Sequence, residues 1–174
     1  MKGTITREEA YKILEEYGTP AHVIKHGEAV ANVAVKVGER LKEKGLDLDL
    51  DLAFVCGVLH DMARLEEDHA QVAADWLCAH GHEVEGNIIR EHMHYPWFNE
   101  IENTTEEDLI CLGDRVCIEN TYVGVEKRFE YIFEKHKLNP ARKPILDAKK
   151  KEMIEYIDKL SDFMGISLDD LMKE

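Results

Sequence analysis

The sequence predicts an all-α protein, a single-domain orthogonal bundle of about seven to nine helices, and three observations carry that expectation. Apolar residues recur at helical spacing in segment after segment, the segments open on Thr or Asp and close on Gly or Pro, and no convincing strand pair is found.

Thr6 and Glu9 form a T-x-x-E capping box ahead of Ala10, Ile13, Leu14 and Tyr17, and Gly18 with Pro20 stops that run. The stretch PAHVIKHGEAVANVAVKVGERLKEKG starts at a proline suited to a first turn. It keeps Val23, Val30, Val33, Ala34, Val37 and Leu41 near one face and ends at Gly45, which makes one long helix. The run LDLDLDL, Leu46 to Leu52, alternates like a strand, but aspartate is poor in strands and strong at helix N-caps. The apolar AFVCGVLH behind it suits a buried helix capped by Asp47 or Asp49.

After a short acidic link, HAQVAADWLCAHG is expected as a helix closed by Gly81, and HEVEGNIIREHMH as another ending before Pro96. Thr104 and Glu107 make a second capping box, which opens TEEDLICLGDRVCIEN. Two further helices are expected, from about Val125 to Lys137 and from about Pro140 to Met164, with a terminal turn at SLDDLMKE. In the last long helix Met153, Ile154, Ile157, Leu160 and Met164 share a near-helical spacing; packing on the same domain is the expectation, and a homodimer contact is the alternative.

A chain of 174 residues is long enough for one well-buried domain, taken as residues 1–174. With 44% hydrophobic and 33% charged residues it is neither disordered nor fibrous in composition. No stretch approaches the ~18 apolar residues of a membrane span. The N-terminus MKGTITREEAYKI lacks the core of a signal peptide, so a cytoplasmic location and no membrane partner are expected. Cys56, Cys78, Cys111 and Cys117 form no C-x-x-C pair and read as reduced core residues. A net charge of -14 would repel a nucleic-acid backbone, which argues against long nucleic acid as a partner. Small anionic molecules remain compatible with it, because bound cations can reverse a local field.

Nine histidines in an acidic chain raise the question of a metal. His136, in the charged run FEKHK, reads as solvated, and His80 and His82 flank Gly81 as helix-end punctuation. His26 differs, standing beside the apolar face of KHGEAVANVAVKV with His22 one turn earlier. His60 and Asp61 close the apolar GVLHDMAR run, and Asp114 sits between Leu112 and Val116. A buried aspartate needs cations or donors around it. Three apolar helices that each bring an imidazole or carboxylate favour convergence on a metal over three independent burial errors. Adjacent residues on a helix point roughly 100° apart, so His60 and Asp61 cannot easily share one ion unless the helix ends there. The charged link that follows supplies such an end.

The order His26, His60-Asp61, Asp114 resembles the H…HD…D signature of the HD-domain metal-dependent phosphohydrolase superfamily. The flanks carry the likeness further: HGEAVANVA, GLDLDLDLAFVCGVLHDMAR and LICLGDRV are similar to the family's ligand-bearing segments, over roughly residues 20–120, with 121–174 as added C-terminal helices. HAQVAADWL, with His69, resembles the HAxxGA-type segment of bacterial members, although Ala73 stands where glycine is often found. IIREHMH, with His92, resembles the I-x-x-H segment that follows. Where members carry all six positions, the extra histidines serve a second metal and the HD aspartate bridges the pair. The resemblance therefore implies a metal site of His26, His60, Asp61, His69, His92 and Asp114, with one or two ions.

Mixed imidazole and carboxylate donors without thiolate suit divalent Mn, Fe, Co, Ni or Zn. The implied reaction is hydrolysis of a phosphoester or phosphoanhydride bond in a nucleotide or another small phosphorylated metabolite. Asp61 and Arg64 are the candidate catalytic residues, the guanidinium three residues after the aspartate gripping phosphate oxygens. The alternative for Arg64 is a surface pair with Glu66 or Glu67; Arg115 is a weaker candidate, and His94 lines the pocket, assists His92 or is exposed. The same six ligands would also serve a di-iron oxygenase, and a non-catalytic nucleotide-binding module is a third reading.

Overall fold

The computed structural model describes residues 3–95, 98–135 and 140–174. Among these the chain forms nine α-helices, two short 3-10 turns and one small hairpin. Helix α1 (Arg7–Tyr17) opens on the Thr6–Glu9 capping box, with both reciprocal bonds made, and closes at Gly18 in the left-handed region, φ 82°. Helix α2 (Ala21–Glu43) begins one residue later than expected, because Pro20 is its N-cap and not its first helical residue. In α3 (Leu50–Leu59) the alternation of LDLDLDL is resolved in favour of a helix, since Asp49 accepts from the amides of Asp51 and Leu52. Seven of the ten residues of α3 are buried, which is why its apolar pattern has no single face.

Helices α4 (His69–Ala79) and α5 (Glu83–Ile89) form an antiparallel pair, and α5 stops five residues short of His94. Helix α6 (Glu106–Asp114) is capped by Thr105 and Asp108, not by Thr104 and Glu107. The Thr104 hydroxyl is already spent on the Ile101 carbonyl of a 3-10 turn, and the Asp108 carboxylate reaches back to the Thr105 amide. The expected continuation of α6 to residue 120 is also corrected. Strands β1 (Cys117–Ile118) and β2 (Thr121–Tyr122) pair there as a hairpin, with Glu119 in the left-handed region at φ 50°. Helix α7 (Val125–Lys135), a 3-10 turn at Pro140–Arg142, α8 (Lys143–Met164) and α9 (Leu168–Leu171) complete the order. Pro96, His136 and Lys137, which entered the sequence reading, lie outside the described residues.

One cluster of buried apolar side chains draws on all nine helices, from Ala10 and Leu14 of α1 to Leu168 and Leu171 of α9. Met153, Leu160 and Met164 of α8 are buried in it, so the apolar stripe of the tail packs on its own chain. Cys56, Cys111 and Cys117 are buried thiols and Cys78 is half-buried; none forms a disulfide. No described helix is long and apolar enough to cross a membrane.

At the centre, α2 packs against both α3 and α6. The α2–α3 crossing is backbone against backbone in both directions. A Cβ on Gly27 would lie 2.5 Å from the Val58 carbonyl oxygen, and one on Gly57 would lie 2.8 Å from Ala31 Cα. Gly57→Ala removes a helix-interior glycine worth about 1 kcal/mol in propensity, but overpacking against main chain costs about 1–3 kcal/mol. The clash wins, so the substitution lowers the melting temperature by several degrees; a rise in a thermal melt would contradict the close approach.

Candidate metal centre

Helix α3 ends at Leu59, which leaves His60 as its C-cap and Asp61 in the turn beyond. That ending frees the two neighbouring side chains to work in different directions. The turn is pinned from α1's exit, where the Thr19 hydroxyl donates to the Met62 carbonyl at 2.9 Å. Asp61 is 1% exposed, and its two oxygens face different histidines. Oδ2 lies 3.7 Å from Nε2 of both His26 and His60, whereas Oδ1 lies 3.0 Å from His69 Nε2 and 3.5 Å from His92 Nε2. Asp114, from the end of α6, places Oδ1 3.1 Å from His26 Nε2 and 4.0 Å from His60 Nε2. All six sequence-predicted metal residues are thus gathered around the Asp61 carboxylate.

Two sets among them hold donor atoms mutually close enough for one ion: His26, His60 and Asp114, and His60, Asp61 and His92. His69 stands outside both sets, yet the seven-residue link after Asp61 still delivers its ring within 3.0 Å of that carboxylate.

Backbone carbonyls fix three of the rings. Nδ1 of His26 donates to the Glu119 carbonyl at 2.7 Å, Nδ1 of His60 to Gly57 at 2.8 Å, and Nδ1 of His92 to Ile89 at 2.7 Å. A carbonyl can only accept, so each Nδ1 carries a proton and each ring turns its Nε2 inward. The Nε2 atoms of His60, His69 and His92 are buried without a hydrogen-bond partner. An orphaned buried polar atom costs about 1–3 kcal/mol, and imidazole nitrogens left without partners beside a carboxylate are donors of the type that divalent transition ions take. His26 makes the same point differently, since acceptors face both of its nitrogens and a cation or proton must sit between Nε2 and Asp114.

The electrostatics agree. Burial pushes His60 down to about 4, so that ring is neutral at physiological pH. Burial also works to lower His26 and His92, but the nearby carboxylates of Asp114 and Asp61, respectively, outweigh it and raise both. For Asp61 burial works to raise the carboxyl, and His60, His69, His92 and Arg64 together hold it well below the usual range. Asp114 is likewise held low against burial by His26, His60 and Arg128.

Arg64 pairs with neither Glu66 nor Glu67. Its Nη1 donates to both oxygens of Asp61, at 2.8 and 3.1 Å. Arg115 turns away from the centre, donating to the carbonyls of Cys111 and Tyr95. His22 is exposed at the rim, His94 is exposed in the turn after α5, and neither belongs to the cluster. His80 stacks on Trp76, and His82 bonds Thr4, in keeping with punctuation.

A cavity of about 460 Å³ opens onto His26 and Asp61. Its walls include residues the sequence reading missed: Lys25 on α2, Glu119 and Asn120 in the hairpin, and Arg128, Tyr131 and Lys135 on α7. The signal was present as the i, i+3, i+7 spacing of Arg128, Tyr131 and Lys135, but nothing in the sequence tied that face to the histidines. A wider depression of about 750 Å³ lies at the start of α3, where Asp49 and Glu106 are already engaged in capping and hydrogen bonding.

The HD domain family model matches residues 23–117, a span that contains all six clustered residues. No curated protein and no solved structure matches the chain.

His26 and His92 are raised above the ordinary imidazole value, so protons compete with a divalent ion for their Nε2 atoms more strongly than they would at a free imidazole. Affinity for Mn²⁺ therefore falls as pH drops through neutral, while His60, at about 4, adds no competition above that value. Titration with Mn²⁺ across this pH range should show the affinity falling as pH is lowered, with proton release read by calorimetry in buffers of different ionisation heat; an affinity independent of pH would contradict this competition.

Proposed function

The chain belongs to the HD domain family of metal-dependent phosphohydrolases, and from that premise we propose that it hydrolyses a phosphoester or phosphoanhydride bond of a nucleotide or another small phosphorylated molecule. The observation that carries this reading is the Asp61 carboxylate, whose two oxygens face two different pairs of imidazoles. On this reading His26, His60, Asp61 and Asp114 hold one divalent ion, and Asp61, His69 and His92 hold a second. This reading is the one implied by the sequence resemblance to the bacterial branch with additional histidines. When bound, such ions supply a water of lowered pKa and polarise a phosphoryl oxygen.

The chain's own residues do the rest. Asp61 stays ionised because four imidazoles and a guanidinium surround it, and the carbonyls of Glu119, Gly57 and Ile89 hold three of those rings, His26, His60 and His92, with Nε2 inward. Arg64 commits Nη1 to Asp61, which leaves Nε and Nη2 to donate to phosphate oxygens at the cavity wall. That places fixed positive charge where negative charge develops. The net charge of -14 works against long nucleic acid and favours a compact substrate that reaches the cavity without lying along the surface.

The test is phosphate release from a panel of nucleotides and sugar phosphates under nitrogen, with the metal content of each sample measured. His60→Ala and Asp61→Ala are expected to lose metal and turnover together, and Arg64→Ala to keep its metal while kcat falls about 10²–10³-fold. Retention of both metal and turnover by the first two variants would overturn the assignment.

A further inference from the structure

The cavity above Asp61 is walled by two helix faces. On α2 the face is His22, Lys25 and His26, spaced i, i+3, i+4; on α7 it is Arg128, Tyr131 and Lys135, spaced i, i+3, i+7. The family match ends at residue 117, so the α7 wall lies outside it.

Four cations line this cavity, Lys25, Arg64, Arg128 and Lys135, against two carboxylates, Asp61 and Glu119. That balance reverses the chain's own, in which 36 acidic residues face 22 Lys and Arg. Among the described residues four lysines make ion pairs, Lys12, Lys143, Lys151 and Lys173, so the cavity is marked by its balance of charge and not by unpaired lysines as such. Lys25 and Lys135 make no ion pair among the described residues, and Lys135 is held instead over the Tyr131 ring, 4.9 Å from its centroid.

The cations fall into an inner and an outer pair. Arg64 and Arg128 touch the carboxylates: Arg128 is 12% exposed and donates Nε to the Asp114 carbonyl at 3.1 Å and Nη2 to Asp114 Oδ1 at 3.3 Å. Among the described residues its Nη1 has no hydrogen-bond partner. Lys135 stands seven residues further along α7, two turns or about 10 Å away, and Lys25 lines the same cavity from α2. One phosphate seated at the Asp61 end cannot span that distance, so the outer pair is left for a second anionic group.

We propose that α7 is the substrate-reading wall of the site, and that Lys25 and Lys135 bind a second phosphate of the substrate, beyond the one that reacts. Arg128 joins the two ends by holding Asp114 while its free Nη1 donates toward the bound anion. The position of the reacting phosphate rests on the hydrolase reading; the outer subsite is a binding property and can be tested without turnover.

The experiment is calorimetric titration of the metal-free full chain with sodium orthophosphate and sodium tripolyphosphate at low salt. Compared are wild type, Lys25→Ala/Lys135→Ala, its Arg/Arg counterpart, and Lys12→Ala/Lys151→Ala, which removes the same charge far from the cavity. Both cavity lysines are exposed, and a thermal melt confirms that each variant is folded. Wild type should bind tripolyphosphate at least tenfold more tightly than orthophosphate. The cavity double variant should bring that ratio to threefold or less, arginine should restore it, and the distant pair should leave it in place. A ratio unchanged in the cavity variant, or lowered equally by the distant pair, overturns the proposal. Failure of the hydrolase reading would look different: the ratio and its dependence on Lys25 and Lys135 intact, but no phosphate released by metal-loaded protein.

Discussion

A carboxylate withdrawn from water must be compensated on every side, and Asp61 is the point from which this structure is most easily understood. It is buried almost completely, and its neighbours include four imidazoles and one guanidinium, drawn from α2, the end of α3, α4 and the turn after α5. A single buried charge of this kind costs several kcal/mol unless it is paired and hydrogen-bonded. The surrounding histidines can compensate it as imidazolium or as ligands, but they cannot all be protonated together at such short range. The site without an ion is therefore a compromise, visible in the depressed His60 beside the raised His26 and His92.

The rest of the fold serves that convergence. Gly27 and Gly57 let α2 and α3 meet main chain to main chain, next to His26 on one helix and three residues before His60 on the other. Because the contact is made by backbone, no rotamer change can absorb an error there, and the two rings are set by helix axes and not by flexible stems. The break of α3 before His60 adds the remaining freedom, turning a pair that helical geometry would splay into two groups that face one carboxylate from different directions.

Much of this was legible in the sequence. The helix caps at Thr6 and Asp49, the end of α3 and all six clustered residues follow from spacing, composition and the family resemblance. The misses share a cause, since each depended on a competition that sequence cannot rank. Thr104 and Thr105 are equally good caps until the Ile101 carbonyl claims one of them. The helix through Asp114 could have run on to residue 120 by local spacing, but the chain there turns into a hairpin that closes on the Val116 carbonyl and sets the Glu119 carbonyl on His26 Nδ1. Arg128 and Lys135 looked like ordinary charges on an amphipathic helix, as the cavity they face is made by α2, which is distant in sequence. For Arg64 the nearest acidic neighbours in sequence lost to Asp61, one helical turn away.

Glu119 has a meaning for how this site can change over time. The group that orients His26 is a main-chain carbonyl in a left-handed hairpin residue, and main chain has no side chain to lose. Drift at positions 118 to 121 can recolour the rim of the cavity, where the Glu119 and Asn120 side chains stand, without touching the bond that sets the ring. The rim of the cavity and the orientation of His26 are thereby set by the same few residues but by different atoms, so a side chain can be exchanged at the rim while the carbonyl that holds the ring stays.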